Sequence, residues 1–322
     1  MYDNLEPMLT HDFPFDPRYG YNEDDLRAIT PPAVPQGFAE FWQRTYEQAL
    51  AKPTRPTVRQ ISSSNPDIEV YELEYDGVDG FRVGGWMTKP VGQEPTRGVV
   101  MGHGYGGRDA PDLIIPGPAC AAVFPCARGF NRSARENLPA NAPEHVTYGI
   151  DSPETYIHRY CVSDIFSATS ALLELAPQTA GCVDYLGVSF GGGIGAMAIA
   201  WERRFRRAFL GVPSFGHHDL RLRMQCAGSG ESVRQMHQHN PEIRKTLAMF
   251  DSAVSAQFCK VPTMVACALF DPAVPPPGQF AVYNSLAGEK LLCVLQAAHF
   301  SWADEQQEGA NVLKRQNTWF AR

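Results

Sequence analysis

The chain has 322 residues, 44% hydrophobic and 20% charged, enough on size scaling to bury on the order of three quarters of its unfolded surface in one enzyme-sized core. Lys and Arg number 28 against 35 Asp and Glu, leaving a net charge of -7 with no basic run, so nucleic acid and anionic membranes are poor candidate partners. No stretch of about twenty apolar residues exists to span a bilayer.

The first ten residues carry acids and a proline where a signal peptide would need a basic patch followed by an apolar stretch. The eight cysteines form no Cys-x-x-Cys pair, and several sit inside apolar runs, as small buried hydrophobes do. Both observations lead us to expect a reducing, cytoplasmic setting.

Residues 1–35 are rich in proline and aromatics without a regular period, which predicts an irregular, surface-draped arm. The remainder, 36–322, reads as a single domain. Phe38, Phe41, Trp42, Tyr46 and Leu50 recur every three to four positions, predicting an amphipathic helix that Lys52 and Pro53 end. Ile68 to Tyr75 and Phe81 to Thr88, separated by a glycine-containing turn, predict an antiparallel pair.

After that the pattern changes to short apolar runs without alternation, at 98–101, 120–126, 182–186, 207–212, 261–269 and 290–295. Such runs suit strands covered on both faces. Helical stretches at 156–175, 192–202, 279–286 and 303–320 lie among them, so strand and helix alternate as in a doubly wound, mostly parallel α/β sheet. A polar, largely helical segment at about 216–258 interrupts the series and is expected to form a cap over the site.

Gly187-Val188-Ser189-Phe190-Gly191 sits between the run 182–186 and the small-residue helix that starts at Gly192. Nucleophilic attack needs an exposed hydroxyl on a sharp strand-to-helix turn, and flanking glycines leave room where a side chain would block the backbone. The helix N-terminus adds a positive dipole where negative charge develops. A glycine-rich turn whose serine merely caps the helix would show the same five residues. The strand before and helix after favour the nucleophile elbow of the α/β-hydrolase fold.

A serine nucleophile needs a histidine base and a carboxylate to orient it, in the chain order Ser, acid, His for this fold. Asp271 follows the run 261–269, and His299 follows 290–295, each just past the carboxyl end of an expected strand. Alone, Asp271 is better read as a turn residue before Pro272, and His299 can be read as an ordinary polar loop residue. Their order and placement together carry the assignment. For the oxyanion, the Phe190 N–H supplies one donor, and His103-Gly104-Tyr105 after the run 98–101 offers the Tyr105 N–H as the second. His103 itself is expected to be structural.

The chain resembles the acetyl xylan esterase and cephalosporin C deacetylase family, carbohydrate esterase family seven. Phe38-Ala39-Glu40-Phe41-Trp42, Gly84-Gly85-Trp86, His103-Gly104-Tyr105 and Arg128-Gly129 resemble its motifs in order. So do Tyr156 to Tyr160, Ser189-Phe190-Gly191-Gly192-Gly193, Asp271 to Pro276 and Ala298-His299. The resemblance implies a homohexamer whose sites face an inner chamber, and small acetylated sugars or acetyl esters as substrates. Three positions depart from the pattern: Phe130 and Phe190 stand where the family has Gln, and Phe300 where Glu commonly follows the base. Phe130 and Phe300 are therefore candidates for the substrate pocket, and the extra phenyl surface would favour a less polar alcohol or acyl group.

His217, His218, Asp219, His237 and His239 fit a metal site poorly, lacking a helical i, i+4 pair. No glycine fingerprint with a downstream ribose acid and no phosphate loop with Lys is present, so no cofactor is expected. Three functions share these residues: an esterase releasing acetate from small esters, a lactone or carbon–carbon bond hydrolase on the same triad, and a non-catalytic binding protein of the fold. The complete triad disfavours the last.

Overall fold

The structure is a computed structural model and describes residues 9–322. The expectation about the chain start falls, for Met1 to Met8, outside the described residues. Nine strands form one mixed sheet: β1 Thr57–Ile61, β2 Ile68–Asp76, β3 Arg82–Pro90, β4 Gly98–Met101, β5 Ala121–Pro125, β6 Val183–Val188, β7 Phe205–Gly211, β8 Thr263–Ala268 and β9 Lys290–Leu295. Their spatial order is β1-β2-β3-β5-β4-β6-β7-β8-β9, antiparallel from β1 to β5 and parallel from there to β9.

The unalternated apolar runs have a simple cause. Along β5, Ala121 and Val123 face one buried layer while Ala122 and Phe124 face the other; along β8, Val265 and Cys267 part from Met264 and Ala266 in the same way. Successive side chains of a strand point to opposite faces, so a strand covered on both sides is apolar throughout. Each large apolar side chain so enclosed contributes about 1.5–3 kcal/mol. β1 was not foreseen. It is a five-residue edge strand with an almost wholly exposed pattern and no apolar face to read.

Eleven α-helices flank the sheet among the described residues. Before β1 come α1 Glu23–Arg27 and α2 Phe38–Leu50; α3 Ala142–His145 and α4 Ile157–Leu175 precede β6; α5 Phe190–Ile199 follows it directly. Between β7 and β8 lie α6 His218–Arg221, α7 Gly230–His239, α8 Ile243–Met249 and α9 Ser252–Ala256, and the chain closes with α10 Pro276–Ser285 and α11 Glu305–Phe320. The arm is mostly irregular, but α1 departs from that expectation. Five residues are too few to show a period, and the helix is fixed instead by a capping box in which Asn22 and Asp25 satisfy each other's backbone N–H.

The excursion between β7 and β8 is pinned where it leaves and returns. Asp251 accepts the His217 and His218 N–H groups, and Ser252 donates its N–H to Phe215 and its hydroxyl to the Ser214 carbonyl. All of α9 is buried, packed against α5 and α10.

At the other end of the elbow strand, Asp184 in β6 is fully buried and held by Arg97 Nε at 2.7 Å and by Arg206 at 2.8 and 3.0 Å. Arg206 also donates to the Phe320 carbonyl, tying β6 and β7 to the end of α11. Removing one partner of such a group strands buried charge. Asp184→Ala is expected to lose about 3–5 kcal/mol in a urea unfolding titration; a loss under about 1 kcal/mol would mean the arginines find other partners.

Candidate active site

Ser189 occupies the turn from β6 into α5 with φ 56° and ψ -115°, a backbone conformation that L-residues rarely adopt. The glycines around it are sterically required. A Cβ on Gly187 would lie 2.3 Å from the Gly191 carbonyl oxygen, and one on Gly191 would lie 2.8 Å from that of His103. The Ser189 amide donates to Gly211 at 2.8 Å, and its carbonyl accepts from Gly193 and Ser214.

Asp271 and His299 follow β8 and β9 and meet Ser189 at the carboxyl ends of the parallel strands. His299 Nε2 lies 3.0 Å from Ser189 Oγ, and its Nδ1 lies 2.8 and 3.0 Å from the two Asp271 carboxylate oxygens. The Ala298 N–H donates to the Phe270 carbonyl and ties the two loops together. Asp271 is fully buried. Oδ1 accepts the Ala273 and Val274 N–H groups at 2.9 and 2.8 Å, and Oδ2 accepts Gln279 Nε2 at 2.9 Å.

Gln279 was not singled out from the sequence. It is fully buried in α10, donates also to the Val274 carbonyl, and accepts the Ala268 N–H at the end of β8. The available signal was a single amide in the otherwise apolar run 272–282.

Burial pushes the Asp271 carboxyl above its ordinary range, and the hydrogen bonds from His299, Val274 and Ala273 offset that only in part. Burial alone would lower the His299 pKa, but the hydrogen bond and charge of Asp271 outweigh it, so the imidazole sits above its ordinary value of 6.5. Nδ1–H therefore points at the carboxylate, leaving neutral Nε2 free to accept the serine proton.

Tyr105 follows β4 and Phe190 opens α5. Among the described residues neither amide donates to another backbone group, which leaves both N–H groups for a ligand. Their side chains stack with ring centroids 4.2 Å apart. Below this stack, Tyr105 Oη lies 2.9 Å from His158 Nε2 and 3.2 Å from His145 Nδ1, and His145 Nε2 lies 2.9 Å from the Arg128 carbonyl. That carbonyl can only accept, so His145 carries its proton on Nε2, Tyr105 donates to its Nδ1, and His158 donates to Tyr105. Burial keeps both rings neutral, His145 down at about 4 and His158 well below its usual range.

His103 is buried and neutral, its pKa also lowered to about 4 by desolvation. Its Nε2 accepts the Ala127 N–H and its Nδ1–H donates to Gly104, so the ring braces the Tyr105 loop against the end of β5. Arg128, next in that segment, is doubly bonded to Asp164 and to Asp79, joining the loop to α4 and the β2–β3 turn.

The three phenylalanines named from the sequence do not share one location. Phe190 and Phe130 are 3% and 5% exposed and pack on the rings of His103, Tyr105 and His145. Phe300 is half-buried beside His299, against Phe270 and Phe13. The histidines between β7 and β8 bond separately, His218 to the Phe250 carbonyl and His239 to that of Gln235. Among the described residues no group of three or more His, Cys, Asp or Glu is arranged to hold a metal, and no helix is long and apolar enough to cross a membrane.

The acetyl xylan esterase (AXE1) family profile matches residues 24–317. This chain belongs to that family. The esterase shares its α/β-hydrolase fold with an acetyl xylan esterase from Paenibacillus sp. R4, at 23% identity and TM-score 0.79 over 92% of this chain and 99% of that one. It is similar also to acetyl xylan esterase 1 from Thermoanaerobacterium sp. JW/SL YS485, at 20% identity and TM-score 0.78 over 94% and 99% of the two chains. An acylaminoacyl peptidase from Pyrococcus horikoshii matches more loosely, at 16% identity and TM-score 0.55 over 85% of this chain and 42% of the peptidase. No match was found among curated proteins. As a member of its family the esterase is a carboxylic ester hydrolase acting on acetyl esters.

The raised imidazole of His299 sets a pH dependence. A base must be unprotonated, so with His299 in that role kcat/KM is expected to rise with pH through its pKa, the acid limb of the profile having its midpoint above 6.5. A limb centred well below that value would contradict the Asp271–His299 pairing.

Proposed function

We propose that Ser189, His299 and Asp271 form the catalytic triad of this esterase and that the Tyr105 and Phe190 N–H groups form its oxyanion hole. The observation that carries this reading is the continuous chain Asp271–His299–Ser189, with contacts of 2.8 and 3.0 Å, beside two unengaged amides.

In the first half-reaction Ser189 Oγ attacks the ester carbonyl carbon while His299 Nε2 takes the hydroxyl proton. Negative charge gathers on the former carbonyl oxygen, where each amide is worth about 3 kcal/mol. The tetrahedral intermediate collapses, the carbon–oxygen bond to the alcohol breaks, and His299 returns the proton to the departing oxygen. Water then attacks the acetyl-enzyme, again deprotonated by His299, and collapse releases acetate and restores the Ser189 hydroxyl. Asp271 stays ionised throughout and holds the imidazole in the required tautomer.

The substrates on this reading are acetyl esters of small alcohols, acetylated sugars among them; the acetyl xylan esterase family supports that choice over a lactone or carbon–carbon bond hydrolase. The eight free cysteines support a reducing compartment such as the cytoplasm. A homo-oligomer, hexameric by family resemblance, completes the reading, and sedimentation velocity is expected to find multiples of one chain; a monomer at micromolar concentration would remove that part.

Ser189→Ala is expected to lower turnover of 4-nitrophenyl acetate by roughly 10⁴-fold or more with the fold intact by circular dichroism. Retained activity would place the nucleophile elsewhere.

A further inference from the structure

The family-matched segment starts at residue 24, and ahead of it residues 11–19 lie against the loops that carry Asp271 and His299. The backbone N–H of Asp271 donates to the Pro17 carbonyl at 3.2 Å, and Tyr19 Oη donates to the Gln225 carbonyl at 2.7 Å. These two bonds fix one end of the arm. At the other, His11 packs on Phe270 with centroids 5.4 Å apart, and Phe13 packs on Phe300 at 6.2 Å. Phe270 and Phe300, themselves 4.9 Å apart, flank the acid and the base in the chain: one precedes Asp271 and the other follows His299.

We propose that Phe13, seated on Phe300 beside His299, forms an apolar wall on the leaving-group side of the site and selects acetyl esters whose alcohol presents an aryl or other flat apolar face. This rests on the triad reading above and refines its substrate class. The side of the site follows from the chemistry. His299 must hand its proton to the departing alcohol oxygen, so the alcohol lies over the imidazole rather than over the oxyanion amides. The residue following the imidazole is Phe300, and the surface that extends it is Phe13. Both residues are half-buried, so each keeps part of its surface open. Stacking on Phe15, 5.7 Å away, holds Phe13 in place with no donor or charge from its own side chain. Such a surface gains from aromatic contact and offers nothing to a polyhydroxylated alcohol beyond its apolar face.

The test uses the full chain and compares kcat/KM for 1-naphthyl acetate and ethyl acetate, which share the acyl group and differ only in the alcohol. Phe13→Ala is expected to lower the naphthyl-to-ethyl ratio about fivefold, and Phe13→Tyr, which keeps the ring, to hold it within about twofold. If the alanine variant melts out, Phe13→Leu keeps bulk without the flat face and is expected to lose the ratio in the same direction. A ratio unchanged in a folded Phe13→Ala or Phe13→Leu protein overturns the wall. Ser189→Ala run alongside separates the two readings. A dead Ser189→Ala with an unchanged Phe13→Ala ratio removes the wall alone, whereas an active Ser189→Ala removes the site and the wall with it.

Discussion

The strained turn at Ser189 is the constraint around which the rest of the site is arranged. A residue at φ 56° and ψ -115° costs on the order of 1–3 kcal/mol and persists only where its surroundings over-determine it. Here the Ser189 amide and carbonyl are held by Gly211, Gly193 and Ser214, all from parts of the chain that β6, α5 and β7 bring together. Gly187 lets the strand close onto Gly191, and Gly191 lets the turn close onto the Gly102–His103 backbone, which places the Tyr105 loop beside the first turn of α5. Strain at the hydroxyl and proximity of the two amides thus have one steric origin.

The acid poses the second problem, because a carboxylate out of reach of water is costly unless its oxygens are satisfied. Asp271 meets that cost with two backbone amides, the Gln279 side chain and the imidazole of His299. Gln279 spans from the carboxylate to the end of β8, so the acid is fixed to the sheet rather than to a free loop. The same charge raises the His299 pKa against the effect of burial.

Residue type alone misleads about the phenylalanines. Read in the chain, Phe130, Phe190 and Phe300 look like one change in the polarity of a pocket. In space Phe190 stacks under Tyr105 and Phe130 packs on His103 and His145, where they brace the loop that carries Tyr105. Only Phe300 lies beside His299 at partial exposure, and its neighbour comes from the arm ahead of the family-matched segment.

The sequence by itself determined what depends on local spacing. Runs such as 98–101 and 261–269, largely apolar and without alternation, suit strands buried on both faces, and the order of Ser189, Asp271 and His299 at strand ends follows from chain position. The edge strand β1 and the five-residue α1 were illegible, one for want of an apolar face and the other for want of length. Gln279, the Tyr105–His145–His158 chain and the Pro17 contact with Asp271 carry no local signal, since each joins residues from 8 to 254 positions apart. Tertiary structure decided those, because a hydrogen bond or a ring contact depends on where the sheet delivers its partners and not on their separation along the chain.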